Sequence, residues 1–145
     1  MSKKKDITVV LGTIGVDAHI VGGWILRRAL EHEGIKVVYL GATVSQEEFV
    51  HAAVESNADA IWVSSLYGMG RLDCEGLRAK CVEAGLKDIL LYAGGMLVAS
   101  MDLVKNWKAV EEEFEKMGFN RIYPPATLPE GPIADLKRDL GVVSS

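Results

Sequence analysis

Short apolar segments alternate with amphipathic segments along the chain, and this alternation restricts the fold more than any other feature. Apolar runs of strand length predict five β-strands, and the stretches between them carry apolar residues at helical spacing. Such a pattern is typical of βαβ units, in which helices cover a parallel sheet. The second and fifth strands are shorter or more polar, as edge strands often are. The predicted strands span residues 7–12, 36–40, 60–64, 89–93 and 121–123.

Helix signals occupy the segments between these strands. Ser45 is followed three residues later by Glu48, which is a capping box and predicts a helix that runs to about Ser56. Glycine stop signals and a proline start signal delimit the other predicted helices. These helices span residues 72–84 before Gly85, residues 102–117 before Gly118, and the segment from Pro132 to Gly141.

The size of the chain, 145 residues, is that of one domain. A five-strand alternating chain of this length usually forms a doubly wound sheet. We therefore predict a single α/β domain over residues 1–145, with a flavodoxin-like five-stranded parallel sheet in the order 2-1-3-4-5. Ligands of such sheets bind at the carboxyl ends of the strands, near the switch point between strands one and three.

Composition excludes several classes of partner. The net charge is −4, so the chain has no basic surface field to hold a nucleic acid or an anionic membrane. No apolar run approaches the roughly 20 residues of a transmembrane helix, and the expected location is cytoplasmic. Cys74 and Cys81 lie seven residues apart on one predicted helix, too far for a disulfide, and are expected to be reduced thiols.

Three short motifs follow strands that are neighbours in the predicted order. Residues 17–22 read Asp-x-His-x-x-Gly after strand one, residues 64–66 read Ser-x-Leu at the end of strand three, and Gly94 and Gly95 follow strand four. Each motif alone is a weak signal, because short patterns recur by chance. Together they are more specific, since the carboxyl ends of these strands meet at one edge of the sheet and can converge on one ligand.

The residue types at these positions suit a transition metal with a bulky organic group. The imidazole of His19 is a common ligand for cobalt-like metals, and Asp17 is placed to accept its other ring N–H. Ser64 offers a hydroxyl, and Gly94 and Gly95 leave room for a ligand to lie against the backbone. Taken singly, these features also fit a structural histidine, a satisfied strand-end hydroxyl and a tight turn.

The three motifs in this order resemble the cobalamin-binding domains of adenosylcobalamin-dependent mutases and corrinoid methyltransferases. Further segments, residues 64–68, 73–78 and 133–137, look like the small subunit of glutamate mutase, also called methylaspartate mutase. This resemblance covers nearly the whole chain. It implies adenosylcobalamin as cofactor, with the dimethylbenzimidazole base displaced from cobalt and His19 taking its place as the axial ligand, oriented by Asp17.

The same resemblance implies which residues contact the cofactor. Ser64 and Leu66 would line a pocket for the displaced nucleotide tail, and residues 123–127 would close its far side. The implied cofactor-binding residues are Val16, Asp17, Ala18, His19, Ile20, Gly22, Ser64, Ser65, Leu66, Tyr67, Gly94, Gly95, Met96, Leu97 and Val98.

The implied reaction is the reversible radical rearrangement of L-glutamate to threo-3-methylaspartate. In the family, a separate large subunit with a barrel fold binds the amino acid, so this chain alone is expected to bind cofactor without turnover. A corrinoid carrier for methyl transfer, which usually has a helical domain before the Asp-x-His motif, is one alternative. A non-enzymatic cobalamin-binding module is another, and a receiver domain or flavodoxin could share the fold without this chemistry.

Overall fold

The computed structural model describes residues 6–15, 21–65, 70–95, 107–124 and 127–142. All five strands form one parallel sheet in the order β2-β1-β3-β4-β5. This order confirms the predicted flavodoxin-like topology, with the second and fifth strands at the edges. The strands are β1 (Thr8–Ile14), β2 (Lys36–Val44), β3 (Ala60–Ser65), β4 (Leu90–Gly95) and β5 (Arg121–Tyr123).

Helices cover both faces of this sheet. They are α1 (Val21–His32), α2 (Gln46–Ser56), α3 (Gly70–Cys74), α4 (Leu77–Glu83), α5 (Trp107–Lys116) and α6 (Glu130–Asp139). None of the helices in the described ranges is both long enough and apolar enough to cross a membrane.

The prediction of a single helix over residues 72–84 is wrong, because the structure has two helices there. Gly76 adopts a left-handed conformation with φ 90° between α3 and α4. The side chain of Gln46 reaches this break, and its Nε2 donates to the carbonyl oxygens of Asp73 at 2.6 Å and Glu75 at 2.8 Å. A contact from a distant helix thus satisfies carbonyl groups that a continuous helix would have bonded internally.

Three strands extend two or more residues beyond their predicted carboxyl ends, and β3 extends by one residue, to Ser65. The first runs to Ile14, the second to Val44 and the fourth to Gly95. Ladder pairing with neighbouring strands continues into these segments. The extension of β2 is irregular, with register shifts against β1 and a positive φ of 55° at Thr43.

Two apolar layers flank the sheet, and the alternation of side chains along each strand separates them. One layer, which includes Phe49, Leu77 and Phe114, lies between the sheet and α2, α4 and α5. The other, which includes Leu30 and Leu136, lies between the sheet and α1 and α6. The second layer carries the candidate site.

The cysteines and tryptophans occupy different environments. Cys74 and Cys81 are buried free thiols, and burial raises the pKa of Cys74 to about 12. Trp62 is buried in the second apolar layer. Trp24 is 50% exposed on α1, where the guanidinium of Arg28 lies 5.2 Å from its ring centroid.

Candidate functional site

Four residues stand side by side across the carboxyl edge of the sheet. Thr13 of β1 pairs in register with Ser64 of β3, Ser64 with Gly94 of β4, and Gly94 with Tyr123 of β5. Two of the three sequence motifs therefore meet in one row. Ile14, the last residue of β1, lies one position beyond this row and precedes the segment that carries the third motif.

A cavity of about 440 Å³ opens beside this row, on the face of the sheet that carries α1 and α6. Its size lies within the roughly 300–1,000 Å³ of small-molecule sites. Apolar and aromatic groups dominate its lining, which includes a few polar atoms such as the hydroxyl of Ser64. The lining residues are Leu11, Ile25, Leu26, Trp62, Val63, Ser64, Tyr92, Ala93, Gly94, Gly95, Tyr123, Pro124, Thr127, Leu128, Pro129 and Pro132.

The absence of a side chain at Gly94 keeps part of this cavity open. Gly94 lies two residues after Tyr92 on the same face of β4, so a side chain there would point into the cavity. A Cβ atom at Gly94 would stand 3.7 Å from the Cβ of Tyr123, which is ordinary van der Waals contact. The protein itself has room for that atom, so glycine here preserves space for something other than protein.

Three aromatic rings form one side of the cavity. The rings of Trp62 and Tyr92 are stacked, with centroids 5.6 Å apart and planes at 18°. The ring of Tyr123 continues the series at 5.9 Å from Tyr92, tilted by 58°. The indole N–H of Trp62 is buried and has no hydrogen-bond acceptor among the described residues. Trp62 and Tyr92 are only 4% and 2% exposed, so Tyr123 is the ring of this wall that a ligand can contact most.

Both tyrosine hydroxyls on this wall are bonded to carboxylates of α6. The Tyr92 hydroxyl donates to Oδ2 of Asp139, and the Tyr123 hydroxyl donates to Oδ2 of Asp135 at 2.7 Å. Burial and the neighbouring carboxylates raise the pKa of both phenols, while the hydrogen bond from Arg121 lowers the pKa of Asp139. At neutral pH both phenols are therefore protonated donors, and Asp139 is an ionised acceptor.

The structure brings only some of the predicted cofactor residues together. Ser64, Gly94 and Gly95 line the cavity. Ser65 lies on the opposite face of β3, where its buried hydroxyl has no partner among the described residues. Gly22 lies in the first turn of α1. The other predicted positions lie outside the described residues: Val16, Asp17, Ala18, His19, Ile20, Leu66, Tyr67, Met96, Leu97 and Val98.

Sequence reasoning missed much of the cavity. Trp62 and Tyr92 each precede a predicted site residue by two positions, so the two-residue period of a strand could have placed them on the same face. Ile25, Leu26 and Leu128 carried no such signal, because they belong to other elements. From the predicted closing segment, residues 123–127, the structure places Tyr123, Pro124 and Thr127 on the cavity.

Comparison with known proteins identifies the family. The B12 binding domain family matches residues 7–110, a range that contains all three motifs. The glutamate mutase sigma subunit of Clostridium tetanomorphum is 53% identical over 142 residues, which cover 98% of this chain and 99% of that protein. This chain belongs to the glutamate mutase sigma subunit family. The sigma subunit of Carboxydothermus hydrogenoformans is 52% identical over 139 residues, covering 96% and 99% of the two chains.

Membership of the sigma subunit family confirms the resemblance that the motifs predicted. A solved structure supports the fold independently: a cobalamin-binding protein from Desulfitobacterium hafniense superposes with a TM-score of 0.73 at 21% identity. The alignment covers 91% of this chain and 58% of that protein. At this identity the likeness concerns the fold alone.

Proposed function

We propose that this chain is the cobalamin-binding subunit of a glutamate mutase, an isomerase that works with a separate catalytic subunit. Family membership supports this function. The observation that carries it in the structure is the row of Ser64 and Gly94 at the opening of an apolar cavity. Two motifs that are distant in sequence thereby act on one ligand site, at the edge of the sheet where doubly wound folds bind ligands.

The cofactor form that we propose is adenosylcobalamin, whose cobalt would be held by the imidazole of His19. An imidazole nitrogen suits cobalt, and a carboxylate at Asp17 would accept the other ring N–H, fix the tautomer and make the ligating nitrogen more basic. Residues 16–20 connect β1 to α1, the two elements that border the cavity opening. When bound, this cofactor supplies radical chemistry through homolysis of its cobalt–carbon bond.

The cavity beside the row fits the nucleotide tail that histidine ligation would displace from cobalt. The ring of Tyr123, the partly accessible member of the aromatic wall, can contact a planar base, and the bare backbone at Gly94 and Gly95 would let a sugar or phosphate approach closely. The hydroxyl of Ser64 is available to a ring nitrogen or an amide. Ile25 of α1 and Leu128 before α6 line the cavity and would shield the tail from water.

The reaction that we propose is the reversible rearrangement of L-glutamate to threo-3-methylaspartate. The partner subunit, proposed to be a barrel, would bind the amino acid and cover the adenosyl face of the cofactor. On this division of labour, the present chain positions the cofactor and excludes water from its tail. The wall of three aromatic rings and the apolar flanks suit that role.

Visible absorption spectra of the purified chain with adenosylcobalamin or aquocobalamin test the assignment of His19. We expect the wild type to show imidazole ligation with the benzimidazole base displaced, and His19→Gly to lose this spectrum. Asp17→Asn should weaken cobalamin binding about 10- to 100-fold, because it removes the group that orients the ligand. His51→Gln, at an exposed position on α2, is the matched histidine control.

Two results would contradict the proposal. If the His19→Gly variant still shows the spectrum of imidazole ligation, His19 is not the residue that binds cobalt. A corrinoid carrier would be favoured by two results together. The chain would give no glutamate turnover when reconstituted with a catalytic subunit and adenosylcobalamin, and it would support methyl transfer from methylcobalamin.

A further inference from the structure

Three charged residues that do not line the cavity hold its aromatic wall in place. We propose that Arg121, Asp135 and Asp139 are positioning residues for the nucleotide tail of cobalamin, acting through the rings of Tyr92 and Tyr123. This inference rests on the proposed function, because it takes the cavity to be the site of the tail. It goes beyond that function by assigning a binding role to residues outside the cavity.

The contacts connect the guanidinium of Arg121 with two carboxylates and two phenols, and Arg138 Nη1 also donates to Oδ1 of Asp135 at 3.0 Å. Arg121 donates to both oxygens of Asp139, from Nε and from Nη2, each at 2.8 Å. Its Nη1 lies 3.8 Å from Oδ2 of Asp135. Each carboxylate also accepts the hydroxyl of one tyrosine, Asp139 from Tyr92 and Asp135 from Tyr123. A planar guanidinium bound through two parallel hydrogen bonds fixes both the distance and the orientation of a carboxylate.

The network also connects the aromatic wall to a second element that lines the cavity. Asp135 and Asp139 are four residues apart, so they project from the same face of α6. Pro129 and Pro132, at the start of α6, line the cavity too. Bonds from α6 to Tyr92 and Tyr123 therefore fix the position of these prolines relative to the two rings.

A wall that is fixed before the ligand arrives improves binding, because less side-chain freedom is lost on association. Two contacts hold the ring of Tyr92: it stacks on Trp62, and its hydroxyl donates a hydrogen bond to Asp139. Tyr123 is only half-buried, so the hydrogen bond to Asp135 contributes more to fixing its ring. Without these bonds, packing against Trp62 would still hold the buried ring of Tyr92, whereas the ring of Tyr123 would lose its main fixed contact on α6.

A comparison of two cofactor forms distinguishes a role in positioning the nucleotide tail from a general effect on the stability of the fold. Adenosylcobalamin carries the nucleotide tail, and adenosylcobinamide lacks it. Affinities of the full chain for both are measured for the wild type, for the double variant Tyr92→Phe with Tyr123→Phe, and for Arg121→Gln. Lys137→Gln is the control, because Lys137 also ties α6 to the rest of the chain, through Glu33 at 2.8 Å, without bonding a cavity residue.

We expect the wild type to bind adenosylcobalamin more tightly than adenosylcobinamide. The double variant and Arg121→Gln should weaken adenosylcobalamin binding about ten-fold, equivalent to about 1.4 kcal/mol, and change adenosylcobinamide binding less than about two-fold. Lys137→Gln should leave the ratio of the two affinities unchanged. Melting temperatures confirm that each variant is folded at the temperature of the measurement.

Two outcomes overturn the inference, and they are distinguishable. If the variants weaken both cofactor forms equally, the network stabilises the fold and does not position the tail, while the proposed function stands. If the wild type binds both forms with equal affinity, the cavity does not hold the tail, and that part of the proposed function fails together with the inference.

Discussion

At the scale of single residues, Gly118 illustrates how close packing selects glycine. It follows α5 with φ 98°, and a Cβ atom built there would lie 2.6 Å from the Cβ of Arg78. Arg78 cannot easily move away, because its Nε donates to the Gly118 carbonyl at 3.0 Å and its Nη1 to the carbonyl of Ile89 at 2.8 Å. A steric clash and an unfavourable φ therefore coincide at this position.

We expect Gly118→Ala to lower the free energy of unfolding by about 2 to 4 kcal/mol, from backbone strain and overpacking combined. Gly85→Ala is the matched control, since Gly85 has φ 85° but no atom within 4 Å of an added Cβ. Gly85→Ala should lower the free energy of unfolding by only about 1 to 2 kcal/mol, because it adds the strain of a positive φ without a steric clash. Urea unfolding of both variants measures the difference, and equal losses would mean that Arg78 moves aside without cost.

At the scale of secondary-structure elements, the start of α2 is fixed by a complete capping box. Ser45 Oγ accepts from the Glu48 backbone N–H at 3.1 Å, and Glu48 Oε1 accepts from the Ser45 backbone N–H at 2.8 Å. Ser45→Ala should lower the free energy of unfolding by about 1 kcal/mol. Glu47→Gln, in the same turn, removes the charge of an exposed pair with Lys80 and should cost less than about 0.5 kcal/mol. Similar losses in both urea titrations would contradict a specific capping role.

The elements that the sequence predicted correctly are those encoded by local signals. The capping box of α2 involves Ser45 and Glu48, three residues apart, and needs no knowledge of the remaining chain. The break between α3 and α4 at Gly76 depends on Gln46, about thirty residues earlier, so helical periodicity alone could not reveal it. Ladder pairing likewise extends β4 through Gly95, two residues beyond its predicted end.

The candidate site likewise has one part that the sequence predicted and one part that it did not. Ser64 and Gly94 were predicted because strand order brings the ends of β3 and β4 together. The opposite side of the cavity comes from α1 and from the start of α6, whose approach to the sheet depends on packing between distant elements. The network of Arg121, Asp135 and Asp139 was not predicted for the same reason.

At the scale of the whole molecule, the same network links stability to pH. The hydrogen bond from Arg121 lowers the pKa of Asp139 in the folded state, with a further contribution from the Tyr92 hydroxyl. An aspartate in an unfolded chain has a pKa of about 3.9. The unfolded state therefore binds this proton more readily, and the stabilisation present above about pH 4 is lost as the pH falls toward the lower folded-state pKa.

We expect the free energy of unfolding of the wild type to fall more steeply below about pH 4 than that of Asp139→Asn, which has no carboxylate to protonate. Arg121→Gln should flatten the same region, because it removes the main cause of the lowered pKa of Asp139. Urea titrations at a series of pH values measure these slopes. If both variants keep the wild-type slope, the acid sensitivity of the molecule arises elsewhere. If both lose it, the ion pair between β5 and α6 couples protonation to the docking of α6, the helix whose first turn borders the cavity.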